Sequence, residues 1–318
     1  MQKRVLGRTG IAVSEIAFGG VEIGMPYGLG VQSEADMLSE KAAIKLIHQS
    51  IDEGINFFDT ARLYGQSEHI FGKSFQGKRD QIIISTKCKH LVTPEGNIPS
   101  YKQLVKIIEG SLMESLKELQ TDYIDVFMLH QASMPILQNT DIAEIFIALK
   151  AKGIIRATGV STYFVEESKI AIQSGMWDII QLPFNLLDQQ QQKIFLLAKQ
   201  KGIGIVVRSV LLKGLLSGSF KSPPAPLEGV AKHIKKYNIF LCSSIPDLPT
   251  LAINFALSFE EVGSVLVGLD RPEYLIQAIS AAKSNDLKAD MKKALQLMSF
   301  PEPNFLNLHQ WSLNGWLK

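Results

Sequence analysis

Four ionisable side chains stand where short apolar runs of the chain give out. Asp59 closes the run 55–59 (INFFD), Tyr64 follows in the next loop, Lys87 closes 82–87 (IIISTK) and His130 closes 123–130 (YIDVFMLH). A carboxylate, a phenol, an ammonium and an imidazole together can move a proton and hold negative charge as it develops on an oxygen. Taken alone, each has an ordinary structural use. Asp59 can cap a turn, Tyr64 can be a half-buried aromatic with a wet hydroxyl, Lys87 can reach for water from a strand end, and His130 can be a satisfied structural histidine. Their joint occurrence at the ends of successive runs favours chemistry over packing.

The elements that must bring them together can be read from hydrophobic pattern. Eight apolar stretches, at about 14–20, 55–59, 82–87, 123–130, 157–161, 179–183, 204–209 and 264–268, alternate with segments of helical period. Near-continuous apolar character marks strands buried on both faces, and strand–helix alternation marks a parallel sheet covered by helices. We therefore expect a (β/α)8 TIM barrel, with reacting groups at the carboxyl ends of its strands. Strands consecutive in sequence are neighbours round such a barrel, so the four side chains converge. Helices are expected at 39–53, 103–119, 142–152, 166–174, 190–200, 248–259 and 272–282. The clearest repeats Leu104, Ile107, Ile108, Leu112, Leu116 and Leu119 along one face. Glu53-Gly54, Lys152-Gly153 and Lys201-Gly202 read as helix stops.

One connection breaks the rhythm. Residues 210–247, with Ser222-Pro223-Pro224-Ala225-Pro226, exceed the usual barrel loop and read as a lid or binding segment that contacts a cofactor. Beyond 289 we expect a helix and an irregular tail whose Phe300, Phe305, Trp311 and Trp316 either anchor it to the surface or face a substrate. No linker, repeat or low-complexity block divides the chain, so 1–318 reads as one domain.

The 33 basic and 31 acidic residues nearly cancel, so there is no long-range field to gather polyanions; nucleic acid and membrane surfaces are excluded as partners. Cys88 and Cys242 are too few for a disulfide framework and lack zinc-site spacing, which fits a reducing compartment and no bound metal. With no leader pattern at 1–10 and no apolar run long enough for a bilayer, the protein is expected in the cytoplasm.

The segment Phe58-Asp59-Thr60-Ala61-Arg62-Leu63-Tyr64-Gly65-Gln66-Ser67-Glu68 resembles the signature loop of the aldo-keto reductases. Leu6-Gly7-Arg8-Thr9-Gly10 is similar to the hairpin that precedes that family's barrel, and Gly159-Val160-Ser161 and Gln181-Leu182-Pro183-Phe184-Asn185 to its later cofactor loops. The likeness runs from about Leu6 to Ala282, and it matches Asp59, Tyr64, Lys87 and His130 to the family's catalytic tetrad. It implies hydride transfer between a nicotinamide cofactor and a small carbonyl, alcohol or sugar. As hydride arrives at a carbonyl its oxygen gains charge, and Tyr64 would supply the proton. Lys87 would lower the phenol's pKa towards working pH, Asp59 would hold and charge Lys87, and His130 would orient the carbonyl. The hydride itself is the cofactor's contribution.

No Gly-x-Gly-x-x-Gly follows a strand and opens a helix, so a Rossmann mode of dinucleotide binding is not expected. The resemblance instead assigns Ser161 and Gln181 to the nicotinamide carboxamide. It assigns Ser209 to Leu215, with Leu211, Gly214 and the preceding Arg208, and Gly268 to Gln277, with Asp270 and Arg271, to the pyrophosphate and adenosine ends. Gly19 and Gly20 would admit the cofactor close to the backbone, or simply make a turn. Thr162 stands where much of the family has asparagine. Asp270 stands where many relatives place a basic residue for a 2′-phosphate, although Arg271 follows at once. Family habit is NADP, and Asp270 keeps NAD open. The stretch 177–188 resembles the sugar and aldose dehydrogenase branch, with Tyr27, Trp177 and the aromatic tail as candidate substrate contacts. A cofactor-binding regulatory module, like the reductase-like β subunits of voltage-gated potassium channels, would carry the same residues without turnover. A barrel of unrelated chemistry would bind no nicotinamide.

Overall fold

The computed structural model describes residues 1–29, 31, 33–93, 95–217, 224–284 and 287–316. Among the described residues ten strands run β1 (Lys3–Val5), β2 (Ala12–Ser14), β3 (Ile16–Gly19), β4 (Phe57–Asp59), β5 (Ile83–Lys87), β6 (Ile124–Leu129), β7 (Ile155–Ser161), β8 (Ile179–Pro183), β9 (Gly204–Arg208) and β10 (Val262–Gly268). The first two pair antiparallel as a separate ribbon, and the other eight close a barrel in the order β10-β3-β4-β5-β6-β7-β8-β9. Every barrel pairing is parallel. The expected (β/α)8 barrel is what forms, and each of its eight strands overlaps the stretch read for it.

Two apolar layers explain the near-continuous burial of these strands. Inside the barrel, Ala17, Phe57, Val126, Met128, Ile179 and Val206 pack on Leu6, Ile11 and Val13 from the ribbon and the turn within it. The ribbon thus plugs the barrel at the amino ends of the strands. Gly7, at φ +50°, lies so close to Gly202 that a Cβ would sit 2.3 Å from its carbonyl oxygen, which only glycine permits. Outside, the larger layer of Leu, Ile and Phe joins strands to helices, as barrels require.

Of the expected helices, those at Glu40–Asp52, Tyr101–Leu119, Thr140–Ala151, Val165–Ser174, Leu248–Leu257 and Pro272–Ser284 form, and 190–200 divides into a 3-10 turn and a short helix. Helix Ser67–Ser74 is an addition, lying where the signature loop was read. It is buried nearly all round, through Ser67, Glu68, Ile70, Phe71, Gly72 and Ser74, so it lacks the polar face that makes a helical period visible. The long connection forms short helical pieces at Leu212–Ser217, Ala225–Leu227, Glu228–Ile234 and Lys235–Phe240; Ser222 and Pro223 lie outside the described residues. In the tail, Trp311 is buried and packs with Phe305, while Phe300 lies against His233. The tail aromatics are anchors, as one of the two expectations had it. Trp177, expected near substrate, is 2% exposed and packs edge-on to Phe146 in the outer core. Among the described residues no helix is long and apolar enough to cross a membrane.

Candidate active site

Asp59, Lys87 and His130 lie at the carboxyl ends of β4, β5 and β6 because the parallel register brings those ends side by side: Asp59 pairs with Ser85 and Lys87 with Met128. Lys87 is fully buried, and its ammonium donates to Asp59 Oδ2 at 2.5 Å and to the Thr60 carbonyl at 2.9 Å. The other carboxylate oxygen of Asp59 accepts from Ser85 Oγ and Gln181 Nε2, both at 2.9 Å. A buried ion pair survives only when its remaining lone pairs and protons find partners, and here they come from β5, β8 and the Thr60 backbone.

Tyr64 is placed by a loop with little freedom. Its amide donates to the Ala61 carbonyl, its own carbonyl accepts from Ser67 N, and Gln66 N reaches across to Gly24 O. Gly24 and Gly65 let this loop touch the one after β3, since a Cβ on Gly24 would lie 2.0 Å from Tyr64 O. Beneath the loop Glu68 is buried, accepting from Thr86 Oγ1 at 2.5 Å and Ser115 Oγ at 2.7 Å and pairing with Arg62. The Lys87 ammonium is 5.0 Å from the Tyr64 ring centroid, and the Tyr64 and His130 rings meet edge to face at 5.3 Å. The four side chains therefore form one contiguous cluster at the strand ends, with His90 in edge contact with His130.

The electrostatics depart from the expectation that Lys87 would lower the phenol. Burial, followed by the charge of Asp59, pushes the Tyr64 phenol up, while Arg208 opposes this. Burial also pulls Lys87 down against the pull of Asp59. The ammonium is already matched to a carboxylate at 2.5 Å, and Tyr64 rests as a protonated phenol. His130 is pulled down to about 2 by burial and by Lys87, His90 and Arg208, so its ring is neutral; its Nδ1 is buried without a hydrogen-bond partner. A neutral imidazole and a protonated phenol facing one space are both able to donate to an oxygen placed there.

The residues expected at the cofactor lie at or beyond the carboxyl ends of β3, β7, β8, β9 and β10. Ser161 and Gln181 are adjacent in register at the ends of β7 and β8, but the Gln181 amide nitrogen is engaged by Asp59, so it also positions that carboxylate. Arg208 ends β9, donating to Thr162 O at 2.9 Å and Ser209 Oγ at 3.3 Å with its plane 4.3 Å over the Tyr163 ring. The loop after it is wound left-handed: Ser209, Leu212 and Lys213 have φ of 59°, 47° and 57°, and Gly214 follows at 98°. Such strain in non-glycine residues gathers at ligand clamps. Leu211 accepts from the Gly214 and Leu216 amides to close that turn. Gly19 has backbone on its open side, with Val267 O 3.1 Å from a would-be Cβ. The space at Gly20 is filled by Phe71, Ser67 and the Asp59 carbonyl, so close packing within the chain, and not approach of a ligand, requires that glycine. Asp270 is raised by burial, with Arg271 beside it opposing, while Gln277 donates to Asp247 at 2.7 Å.

The sequence reading passed over Glu22, in the short helix Val21–Gly24 that follows β3. Its carboxyl lies against Gly268, and Oε2 is buried with no partner. A carboxylate two residues beyond the Gly19-Gly20 turn was the available signal. An acceptor without a donor, beside a strained loop and glycine-lined strand ends, fits a ligand that carries hydroxyls, as a nicotinamide dinucleotide does.

Comparison with known proteins agrees with this geometry. The sequence profile of the aldo/keto reductase family matches residues 15–298. The chain is 29% identical to the oxidoreductase YqkF of Bacillus subtilis (strain 168), covering 93% of this chain and 96% of that one. It is 30% identical to the NADH-specific methylglyoxal reductase of Escherichia coli (strain K12), covering 91% and 96%. Among solved structures, the holo form of an aldo-keto reductase from Bacillus halodurans superposes with a TM-score of 0.78 at 27% identity, covering 94% and 96%.

Proposed function

The chain belongs to the aldo/keto reductase family, an NAD(P)-dependent oxidoreductase family, and on that premise we propose that Tyr64 is its proton donor and acceptor, serving a small aldehyde, ketone or open-chain sugar. The observation that carries this is the contact cluster of the four side chains: the Lys87 ammonium bonded to Asp59 at 2.5 Å and 5.0 Å from the Tyr64 ring, with the His130 ring 5.3 Å from that of Tyr64. When bound, a nicotinamide supplies the hydride. The protein's share is the proton and the field. His130, neutral and with an unpartnered ring nitrogen, holds the substrate oxygen by a hydrogen bond. Tyr64, kept protonated by burial, gives its proton to that oxygen as charge builds there. The phenolate left behind is stabilised by the Lys87 ammonium and by the Arg208 charge, which already opposes the rise of the phenol. Asp59, tied by Ser85 and Gln181, keeps the ammonium fixed during this exchange.

Ser161, Arg208, Ser209, Leu211, Gly214, Gly268, Asp270, Arg271 and Gln277 are the residues of this reading around the dinucleotide. The Escherichia coli relative is an NADH-specific methylglyoxal reductase, which supports small, oxygen-rich carbonyls as the first substrates to try. The test is a turnover screen of aldehydes, ketones and sugars with NADH and with NADPH, on wild type and Tyr64→Phe. Turnover that vanishes in the variant supports the reading. Consumption of neither cofactor, or a Tyr64→Phe protein as active as wild type, overturns it.

A further inference from the structure

At the meeting of β3, β9 and β10 is a carboxyl group that the reaction above does not use. Glu22 lies on the Cα of Gly268, so closely that a Cβ there would fall 2.1 Å from Oε1 and 2.5 Å from Cδ. Glycine at 268 is what makes room for the acid. Four groups face it from the elements packed around it: Asp270 beyond β10, Lys213 beyond β9, Tyr27 on its own loop and Tyr64 beyond β4. The one cation among them is turned elsewhere, with the Lys213 ammonium 4.3 Å over the Tyr27 ring. Neither Glu22 nor Asp270 enters an ion pair among the described residues, whereas Asp59, Glu68 and Asp125 all do. A buried acceptor left without a donor costs on the order of 1–3 kcal/mol, which a ligand hydroxyl would recover.

The two nicotinamide dinucleotides differ at this kind of place. A free ribose diol offers two O–H donors, while a 2′-phosphate offers acceptor oxygens and a charge of about −1.5 to −2. Paired carboxyls accept from the first and repel the second. Resting on the reductase reading above, we propose that Glu22 acts with Asp270 as the cofactor-selecting pair, accepting from a ribose diol and excluding a 2′-phosphate, so that the protein takes NADH in preference to NADPH. Glu22 thus supplies the second acid of a pair of which the sequence exposed only Asp270. Burial has raised Glu22 to about 8, against the pull of Lys213, so discrimination sharpens as the group ionises. Asp270 is raised by burial as well, with Arg271 opposing.

Binding alone tests this, with no substrate present. Tryptophan quenching is followed as NADH or NADPH is titrated into wild type, Glu22→Gln, Glu22→Asp and Asp270→Asn. At pH 9, where Glu22 is ionised, we expect wild type to favour NADH by about tenfold or more, a difference of roughly 1.4 kcal/mol. Glu22→Gln should lose most of that ratio, Asp270→Asn part of it, and Glu22→Asp should keep more of it than Glu22→Gln. In wild type the ratio should grow between pH 7 and pH 9, and in Glu22→Gln it should grow less. Tighter binding of NADPH by wild type, or a Glu22→Gln ratio within about twofold of wild type, overturns the inference and leaves the reductase reading standing. Failure of wild type to bind either dinucleotide sinks both.

Discussion

The two sides of the barrel mouth are built on opposite plans. Where β4, β5 and β6 end, the fold itself supplies partners for its buried charges: Asp59 takes Lys87, Ser85 and Gln181, and Glu68 takes Arg62, Thr86 and Ser115. Where β3, β9 and β10 end, Glu22, Asp270 and Lys213 are partly or wholly desolvated yet form no ion pair among the described residues. The first plan suits groups that must hold a fixed geometry while a proton moves. The second suits groups whose partners arrive with a ligand. One atom on the first side, His130 Nδ1, is also buried without a hydrogen-bond partner.

The sharpest way to separate the plans is to take one atom from the satisfied side without disturbing its network. Tyr64→Phe removes a hydroxyl and none of the bonds that hold Asp59 and Lys87. Turnover should fall by about 10²–10⁴-fold, the usual worth of a positioned acid, while the dissociation constant for NADH stays within about twofold. Next in size, Asp59→Asn leaves Lys87 buried without its counter-charge, which typically costs about 3–5 kcal/mol. Thermal denaturation should show that loss as a drop in Tm. A Tm unchanged by Asp59→Asn would mean that the ion pair is not structural and that the contrast between the two sides is false.

How far the sequence revealed these plans follows from where each one's information lies. The barrel strands were legible because burial on both faces leaves near-unbroken apolar runs, and Asp59, Lys87 and His130 because they punctuate those runs. Helix Ser67–Ser74 was hidden by burial on all sides. Gln181 was read as a cofactor ligand, and its bond to Asp59 runs between residues 122 positions apart, which no local pattern carries. Glu22 was missed for the same reason, since it becomes notable only once Gly268 is seen beneath it. Trp177 was read as a candidate substrate contact, but it lies ahead of β8 and packs edge-on to Phe146 of helix Thr140–Ala151.

A smaller effect probes whether the network around Asp59 needs all its members. Gln181→Leu removes one of the donors to Asp59 Oδ1 and leaves Ser85 Oγ on that oxygen. Loss of one hydrogen bond to a charged group is worth about 1.5–3 kcal/mol, and the bond to Ser85 should hold the result at the low end. The reading predicts a lowered turnover number with a Tm reduced by only a few degrees. If the Tm falls as far as in Asp59→Asn, Gln181 is part of the barrel's structural closure instead of a positioning residue.

The last expected change has the opposite sign, and it comes from the unsatisfied side. Glu22 is raised to about 8 in the folded protein, chiefly by burial, whereas an unfolded chain returns it to the ordinary carboxylate range near ~4.3. Between those values the folded state holds a proton that the unfolded state has released. Stability therefore falls as pH rises through that window, by up to about 1.4 kcal/mol per pH unit, and levels off above the folded value. Glu22→Gln carries no such proton, so its Tm relative to wild type should climb between pH 5 and pH 8, reaching a gain of roughly a few degrees. Saturating NADH should shrink that gain by stabilising wild type more than the variant. A Tm difference that stays flat across the window would show Glu22 to be as well partnered as Asp59, and the two sides of the mouth would then be built alike.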